Sequence, residues 1–136
     1  FVWATDADIA ICADHGVTAV HCIGSNVRTS VGLCRVRDLL EAGVPVAYGT
    51  DGASVGDRED FFAEIRTASF MQRQPDRFSE HRMDSLELLR SATERASAVA
   101  GFGPSLGTLE VGSHADLLVV EQYLPTGLSN HTCRNA

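Results

Sequence analysis

The chain has 136 residues, 44% of them hydrophobic and 21% charged, which suits one compact domain with one hydrophobic core. Its net charge is -7 at pH 7, which argues against binding to a phosphate backbone, because such binding needs a basic face. No apolar stretch approaches the ~20 residues of a transmembrane helix, and no signal-peptide pattern is present. We therefore expect a cytoplasmic protein that binds neither nucleic acid nor membranes.

The sequence begins with a helix followed by a strand. Phe1 lies in apolar sequence typical of an element that starts earlier, so we expect a fragment of a longer protein. Thr5 with Asp8 resembles a capping box that begins a helix ending before Gly16. Residues 17–21 (VTAVH) are short, apolar and rich in β-branched side chains, which predicts a buried strand. We expect residues 22–32, rich in Gly, Ser and Asn, to form a loop.

A second helix and a second strand follow. Residues 34–42 have helical spacing of apolar side chains, and residues 44–48 (VPVAY) form another short apolar run. Strands separated by helix-sized connections pair in parallel, so the pattern predicts an α/β fold.

The second half is predicted to be helical and then to change character. Apolar spacing predicts a helix over residues 58–73 and a longer one over residues 84–100, which Asp84 caps. Residues 107–121 contain a turn and a strand pattern, which predicts a β-hairpin belonging to a different layer. Residues from Pro125 onward lack periodicity, and we expect them to be loose.

The cysteines give no sign of a metal knuckle, because none forms a C-x-x-C pair. We interpret them as reduced, partly buried thiols. They are Cys12, Cys22, Cys34 and Cys133.

Two side chains at the predicted strand ends are candidates for chemistry, His21 after the first strand and Asp51 after the second. Catalytic groups collect at this edge of parallel sheets. An Asp carboxylate can bind a divalent metal and accept a proton from water. Position alone leaves alternatives open: Asp51 as the N-cap of the next helix, and His21 as a satisfied buried histidine. The sequence has no H-x-H or H-x-x-x-H pair of histidines, so it cannot complete a metal site by itself, and it has no phosphate-binding glycine loop.

Several segments, in order and at similar spacing, resemble motifs of the amidohydrolase superfamily. The resemblance is strongest to triazine hydrolases and to S-adenosylhomocysteine, methylthioadenosine, guanine or cytosine deaminases. The matching segments are residues 21–26 (HCIGSN, resembling HCP-x-SN), 39–44 with 49–53 (LLEAGV and GTDGA, resembling LLEAGV…LGTDGA), 61–66 (FFAEIR, resembling the helix that follows) and 107–112 with 115–117 (GTLEVG and ADL, resembling G-x-LEPG…ADLVVVD).

The resemblance implies a (β/α)8 barrel, the TIM type, with a small β-sandwich built from both chain ends. Residues 1–104 would supply the last two barrel strands and their helices. Residues 105–136 would supply a C-terminal β-hairpin of the sandwich and a loose tail. A full barrel needs ~250 residues, so the remainder would lie outside this chain.

The resemblance also implies a metal-dependent hydrolase acting on non-peptide carbon–nitrogen bonds. Asp51 would bind one divalent ion, zinc in the first instance, and handle the proton of a metal-activated water that deaminates or dechlorinates a nitrogen heterocycle. His21 would lie at the substrate pocket wall, or just behind it, and the parent protein would be a homo-oligomer. The family's H-x-H ligands are absent, so the chain alone is predicted to be inactive. Two alternatives stay open: an amidohydrolase that opens a cyclic amide or cleaves a dipeptide, and a non-catalytic fragment that needs a partner.

Overall fold

The computed structural model describes residues 1–57, 59–71 and 84–119. The described residues form helices around a two-stranded sheet, with a single 3-10 turn at Gly103–Ser105. None of the described helices is long and apolar enough to cross a membrane. In chain order the elements are α1 Asp6–Asp14, β1 Ala19–His21, α2 Ile23–Arg28, α3 Val36–Glu41, β2 Val46–Tyr48, α4 Ala53–Gly56, α5 Phe61–Met71, α6 Ser85–Ala92 and α7 Glu94–Val99.

The two strands pair in parallel, as the alternation of helices and strands predicts. Ala19 lies opposite Val46, and His21 lies opposite Tyr48. Side chains alternate between the two faces of a strand, so these four residues share one face. Val20 and Ala47 lie on the other face, where Val20 is 44% exposed and Ala47 is buried. The first face is buried in both strands, and we call it the covered face. The carboxyl ends of the two strands lie side by side.

Helix α1 begins at the predicted capping box. The Thr5 hydroxyl accepts the Asp8 backbone N–H at 3.2 Å, and the Asp8 carboxylate accepts the Thr5 backbone N–H at 2.8 Å. Gly16, just after the helix, has φ +62, a left-handed conformation that favours glycine. Both ends of this helix are thus determined by local sequence.

Two apolar clusters hold the strands to the helices, and together they form the core on the covered face of the sheet. The first packs α1 and α3 against the beginnings of the strands. The second packs α2, α5 and α6 against the end of β2. Their buried members are Ile9, Ala19, Cys34, Val36, Leu39, Val44 and Val46 in the first cluster, and Ile23, Tyr48, Ala68 and Leu88 in the second.

The prediction of a loop over residues 22–32 is wrong in part, because residues 23–28 form α2. Ile23 is fully buried in the second cluster. The Gly24 N–H donates to the Glu64 carboxylate at 2.9 Å, across 40 positions of sequence. These tertiary contacts stabilise a short helix that the composition of the segment disfavours.

The helix predicted over residues 84–100 begins at Asp84 as expected but is interrupted at Thr93. Thr93 has φ -121 and ψ -83, and its hydroxyl donates to the Leu89 carbonyl at 2.9 Å. A Cβ at Gly107 would lie 2.8 Å from the Thr93 carbonyl carbon and oxygen. The interruption thus lies where the chain passes back against the helix, which the apolar spacing alone cannot indicate.

The predicted C-terminal hairpin is not confirmed. Residues 107–119 contain no strand, although the Ser113 N–H donates to the Glu110 carbonyl at 3.1 Å in the expected turn. A strand needs a hydrogen-bonded neighbour, and the described residues offer none here. The end of the predicted strand at residues 120–121, the predicted loose tail and the linker at residues 72–83 lie outside the described residues.

Candidate active site

The candidate site lies at the carboxyl ends of β1 and β2. The Gly49 N–H donates to the His21 carbonyl at 3.2 Å, so the pairing of the chains continues just beyond the strands. Asp51 follows two residues later, and α2 begins two residues after His21. The sheet thereby brings together the two loops that carry the predicted site residues.

Asp51 presents an exposed carboxylate held by two donors. Oδ2 accepts the Ser25 hydroxyl at 2.8 Å, and Oδ1 accepts the Gly52 N–H at 2.7 Å. The hydrogen bond from Ser25 is the main reason that the pKa of Asp51 lies below its usual value, and Gly52 adds to the effect. The carboxylate is therefore ionised at neutral pH, the form that binds metals and accepts protons.

The interpretation of Asp51 as a helix cap is wrong. The N-cap of α4 is Gly52, and this cap makes no side-chain hydrogen bond. Asp51 also has φ +61, a left-handed conformation that is sparsely populated outside glycine and more accessible to Asp and Asn. Such a conformation next to a functional group is a common feature of active sites.

Ser25 is a site residue that sequence reasoning missed. It lies in the first turn of α2, is only 5% exposed and reaches Asp51 across 26 positions of sequence. The signals in the sequence were its place in the segment after a strand end and its position in the HCIGSN motif at residues 21–26. The hydrogen bond itself depends on the parallel pairing of the strands.

His21 is buried beside the site, with 2% of its surface exposed. Its Nδ1 lies 3.5 Å from the Asn26 side-chain nitrogen, and its ring centroid is 6.0 Å from that of Tyr48. Burial lowers the pKa of His21 to about 4, so the ring is neutral at neutral pH. Its Nε2 is buried without a hydrogen-bond partner among the described residues. The alternative of a buried histidine with both ring nitrogens hydrogen-bonded therefore holds for Nδ1 but not for Nε2 among the described residues.

Consecutive residues of α2 contact the two predicted site residues, since Ser25 bonds Asp51 and Asn26 lies against His21. Glu64 on α5 fixes this helix in place. It is 7% exposed and accepts the Gly24 N–H, and a Cβ at Gly24 would lie 2.6 Å from its Oε2. The helix is therefore packed closely against α5 just before Ser25.

The described residues contain no group of three or more His, Cys, Asp or Glu side chains that could hold a metal ion. Asp51 nevertheless fits as one ligand. Each of its oxygens accepts one hydrogen bond and keeps a lone pair, and the side chain is exposed. Zinc sites take three or four ligands, so the described residues supply one part of such a site.

The Cys22 and Cys34 thiols and the cleft between α2, α4 and α5 are not catalytic candidates. Burial raises the pKa of the Cys22 and Cys34 thiols, which makes them poor nucleophiles. Cys22 is half-buried and Cys34 is buried, as the prediction of partly buried thiols has it. A cleft of about 520 Å³ between α2, α4 and α5 has neither His21 nor Asp51 in its lining. An exposed ion pair at its edge joins Arg28 to Asp57 at 2.9 Å.

Comparison with known proteins gives similar enzymes across almost the whole chain. The 5-methylthioadenosine/S-adenosylhomocysteine deaminase of Moorella thermoacetica is 37% identical over 128 residues, covering 91% of this chain and 29% of that protein. The 5'-deoxyadenosine deaminase of Methanosarcina barkeri is 34% identical over 120 residues, covering 88% and 27%. The chain thus spans less than a third of the length of these relatives.

Solved structures give the same result. The zinc complex of atrazine chlorohydrolase TrzN from Arthrobacter aurescens matches with a TM-score of 0.77 and 35% identity, covering 84% of this chain and 25% of that one. Guanine deaminase from C. acetobutylicum, with guanine in its active site, matches with a TM-score of 0.69 and 26% identity, covering 80% and 26%. The amidohydrolase family profile matches residues 1–135. The chain therefore belongs to the amidohydrolase family.

Proposed function

We propose that this chain is the C-terminal part of a metal-dependent hydrolase that deaminates a nitrogen heterocycle of the purine nucleoside class. In this proposal β1 and β2 are the last two strands of a (β/α)8 barrel. The observation that carries the proposal is the exposed, ionised Asp51 carboxylate, held by two donors at the end of a parallel strand. The nucleoside class is suggested by the names of the relatives, which are deaminases of adenosine derivatives.

Asp51 is the residue of this chain that would hold the metal, with the other ligands supplied by segments outside it. Zinc is the proposed ion, since the matching chlorohydrolase structure is a zinc complex. When bound, a zinc ion supplies Lewis-acid chemistry and lowers the pKa of water toward neutrality. The exposed carboxylate of Asp51 and its free lone pairs suit this role.

The second proposed role of Asp51 is proton transfer. Water adds to the ring carbon that carries the amino group, which forms a carbon–oxygen bond. Asp51 accepts the proton that the water gives up and donates it to the leaving nitrogen, which departs as ammonia when the carbon–nitrogen bond breaks. One carboxylate can perform both steps because it is ionised beforehand and protonated between them.

His21 is proposed to lie just behind the wall of the substrate pocket. Because it is almost completely buried, we propose that His21 supports Asn26 and the surrounding residues and does not contact the substrate over a large area. A neutral ring suits this place, because a charge there would be buried.

A second candidate reaction is dechlorination of a triazine. It is favoured by the structural match to the atrazine chlorohydrolase at 35% identity. The same use of Asp51 would apply, with chloride as the leaving group. Substrate screening of the full-length protein separates the two reactions.

The test uses the full-length protein with Asp51→Asn, which keeps the shape but removes the charge. Ammonia release is measured with methylthioadenosine, S-adenosylhomocysteine, 5'-deoxyadenosine and guanine, and chloride release with atrazine. We expect kcat to fall by at least about 100- to 10,000-fold, the usual contribution of a proton-transfer group. Asp57→Asn is the matched control, because Asp57 also has positive φ (75) but pairs with Arg28 on the surface.

The control variant should stay close to wild-type activity. Wild-type turnover in Asp51→Asn would refute the proposed role. Turnover of none of these substrates by the wild type would refute the proposed reaction.

A further inference from the structure

We propose that Ser25 is a positioning residue that holds the Asp51 carboxylate in the orientation needed to bind the metal. The inference rests on the proposed function of Asp51 and extends it to a second residue. Ser25 is 5% exposed, and its hydroxyl donates to Asp51 Oδ2 at 2.8 Å. It does not itself have to touch the metal or the substrate.

The Asp51 carboxylate has little else to fix it. The side chain is exposed and extends from a residue in a left-handed conformation, beyond the end of β2. Its own segment provides one donor, the adjacent Gly52 N–H on Oδ1. Ser25 belongs to a different element, so its hydrogen bond ties the segment after β1 to the segment after β2.

The backbone that carries the Ser25 hydroxyl is held in place by several contacts. The Ser25 carbonyl accepts the Thr29 N–H at 2.9 Å and the Thr29 hydroxyl at 2.8 Å. The preceding residues are held too, with Ile23 fully buried and the Gly24 N–H bonded to Glu64 at 2.9 Å. A donor fixed in this way restricts the rotation of the carboxylate that it bonds.

A neutral donor suits a metal ligand better than a cation would. A hydroxyl bonds one lone pair of Oδ2 and leaves the negative charge on the carboxylate, whereas an arginine would neutralise that charge. Groups that hydrogen-bond metal ligands change metal affinity or activity by ~10- to 100-fold when removed. Ser25 has the geometry of such a group.

The experiment compares Ser25→Ala and Ser25→Thr in the full-length protein. Zinc affinity is measured by competition with a chromogenic chelator, and kcat/KM on the substrate that the wild type turns over. We expect Ser25→Ala to lower zinc affinity by ~10- to 100-fold and Ser25→Thr, which keeps the hydroxyl, to restore most of it. Ser97→Ala is the matched control, because Ser97 is also 5% exposed but donates to the Gly103 carbonyl.

Each outcome decides the proposal. Wild-type zinc affinity in Ser25→Ala, or equal losses in Ser25→Ala and Ser97→Ala, would overturn it. Should Ser25→Ala fail to fold, Ser25→Val replaces it, since valine has the shape of threonine but no hydroxyl to donate. If this variant unfolds at the same temperature as the wild type, a lower zinc affinity supports the proposal and an unchanged zinc affinity refutes it.

Asp51→Asn, measured in parallel, separates the two claims. Zinc loss in Asp51→Asn together with wild-type affinity in Ser25→Ala refutes the role of Ser25 alone. Wild-type zinc affinity in Asp51→Asn refutes the proposed function of Asp51, and the inference about Ser25 with it.

Discussion

Apolar side chains are buried in the region around the two strands but exposed in the C-terminal residues 107–119. Leu39 and Val46 are fully buried, whereas Leu109 is 88% and Val119 is 92% exposed. Both regions carry motifs of the same family, yet only the first finds its packing partners among the described residues. The difference shows that contacts among the described residues bury the apolar side chains of the first region and leave those of the second exposed.

The largest effect should come from truncating a side chain in the packed region. Leu39→Ala removes a fully buried side chain from the first cluster and should lower the free energy of unfolding of the chain by about 2–5 kcal/mol. Leu109→Ala removes the same atoms at an exposed position and should change it by less than about 0.5 kcal/mol. Urea denaturation of the 136-residue chain followed by circular dichroism measures both. Equal losses would contradict the contrast between the regions.

A second effect is a dependence of stability on pH that arises in the packed region. Burial lowers the pKa of folded His21 to about 4, below the ~6.5 of an unfolded histidine. The unfolded chain binds more protons between these values, so stability is complete above pH 6.5 and falls as pH decreases toward 4. The expected loss is up to about 3 kcal/mol.

Urea denaturation at several pH values checks this prediction. His21→Gln should flatten the dependence between pH 6.5 and 4, because it removes the titrating ring. His15→Gln, at an exposed histidine, is the control and should keep the wild-type slope. An unchanged slope in His21→Gln would disprove the assignment to His21.

A smaller effect should follow from crowding the contact between α2 and α5. A Cβ at Gly24 would lie 2.6 Å from Glu64 Oε2, so Gly24→Ala should destabilise the chain by about 1–3 kcal/mol. Glu64→Gln combined with Gly24→Ala should not restore stability, because the amide has the same size. The same denaturation assay applies, and a neutral Gly24→Ala would show that Glu64 moves away without cost.

The sequence predicted the parts of the molecule that local patterns determine. Helix α1 has its capping box, the strands are short apolar runs, and their parallel pairing follows from the helices between them. Helix α2 and the interruption at Thr93 were not predicted, because they depend on Gly24 meeting Glu64 and on Gly107 passing close to Thr93.

In the site, too, some features follow from the local sequence and others depend on tertiary contacts. Asp51 could be selected from its position after a strand and from its motif. Its left-handed backbone and its bond to Ser25 appear only when the strands are paired. His21 was placed at the correct sheet edge, but its burial on the helix side depends on the register with Tyr48.

The central claim is that Asp51 is a metal ligand, and the zinc content of the purified full-length protein tests it most directly. Elemental analysis should find one zinc per wild-type chain and much less than one in Asp51→Asn, with Asp57→Asn as the control that retains it. One tightly bound zinc in Asp51→Asn would contradict the claim.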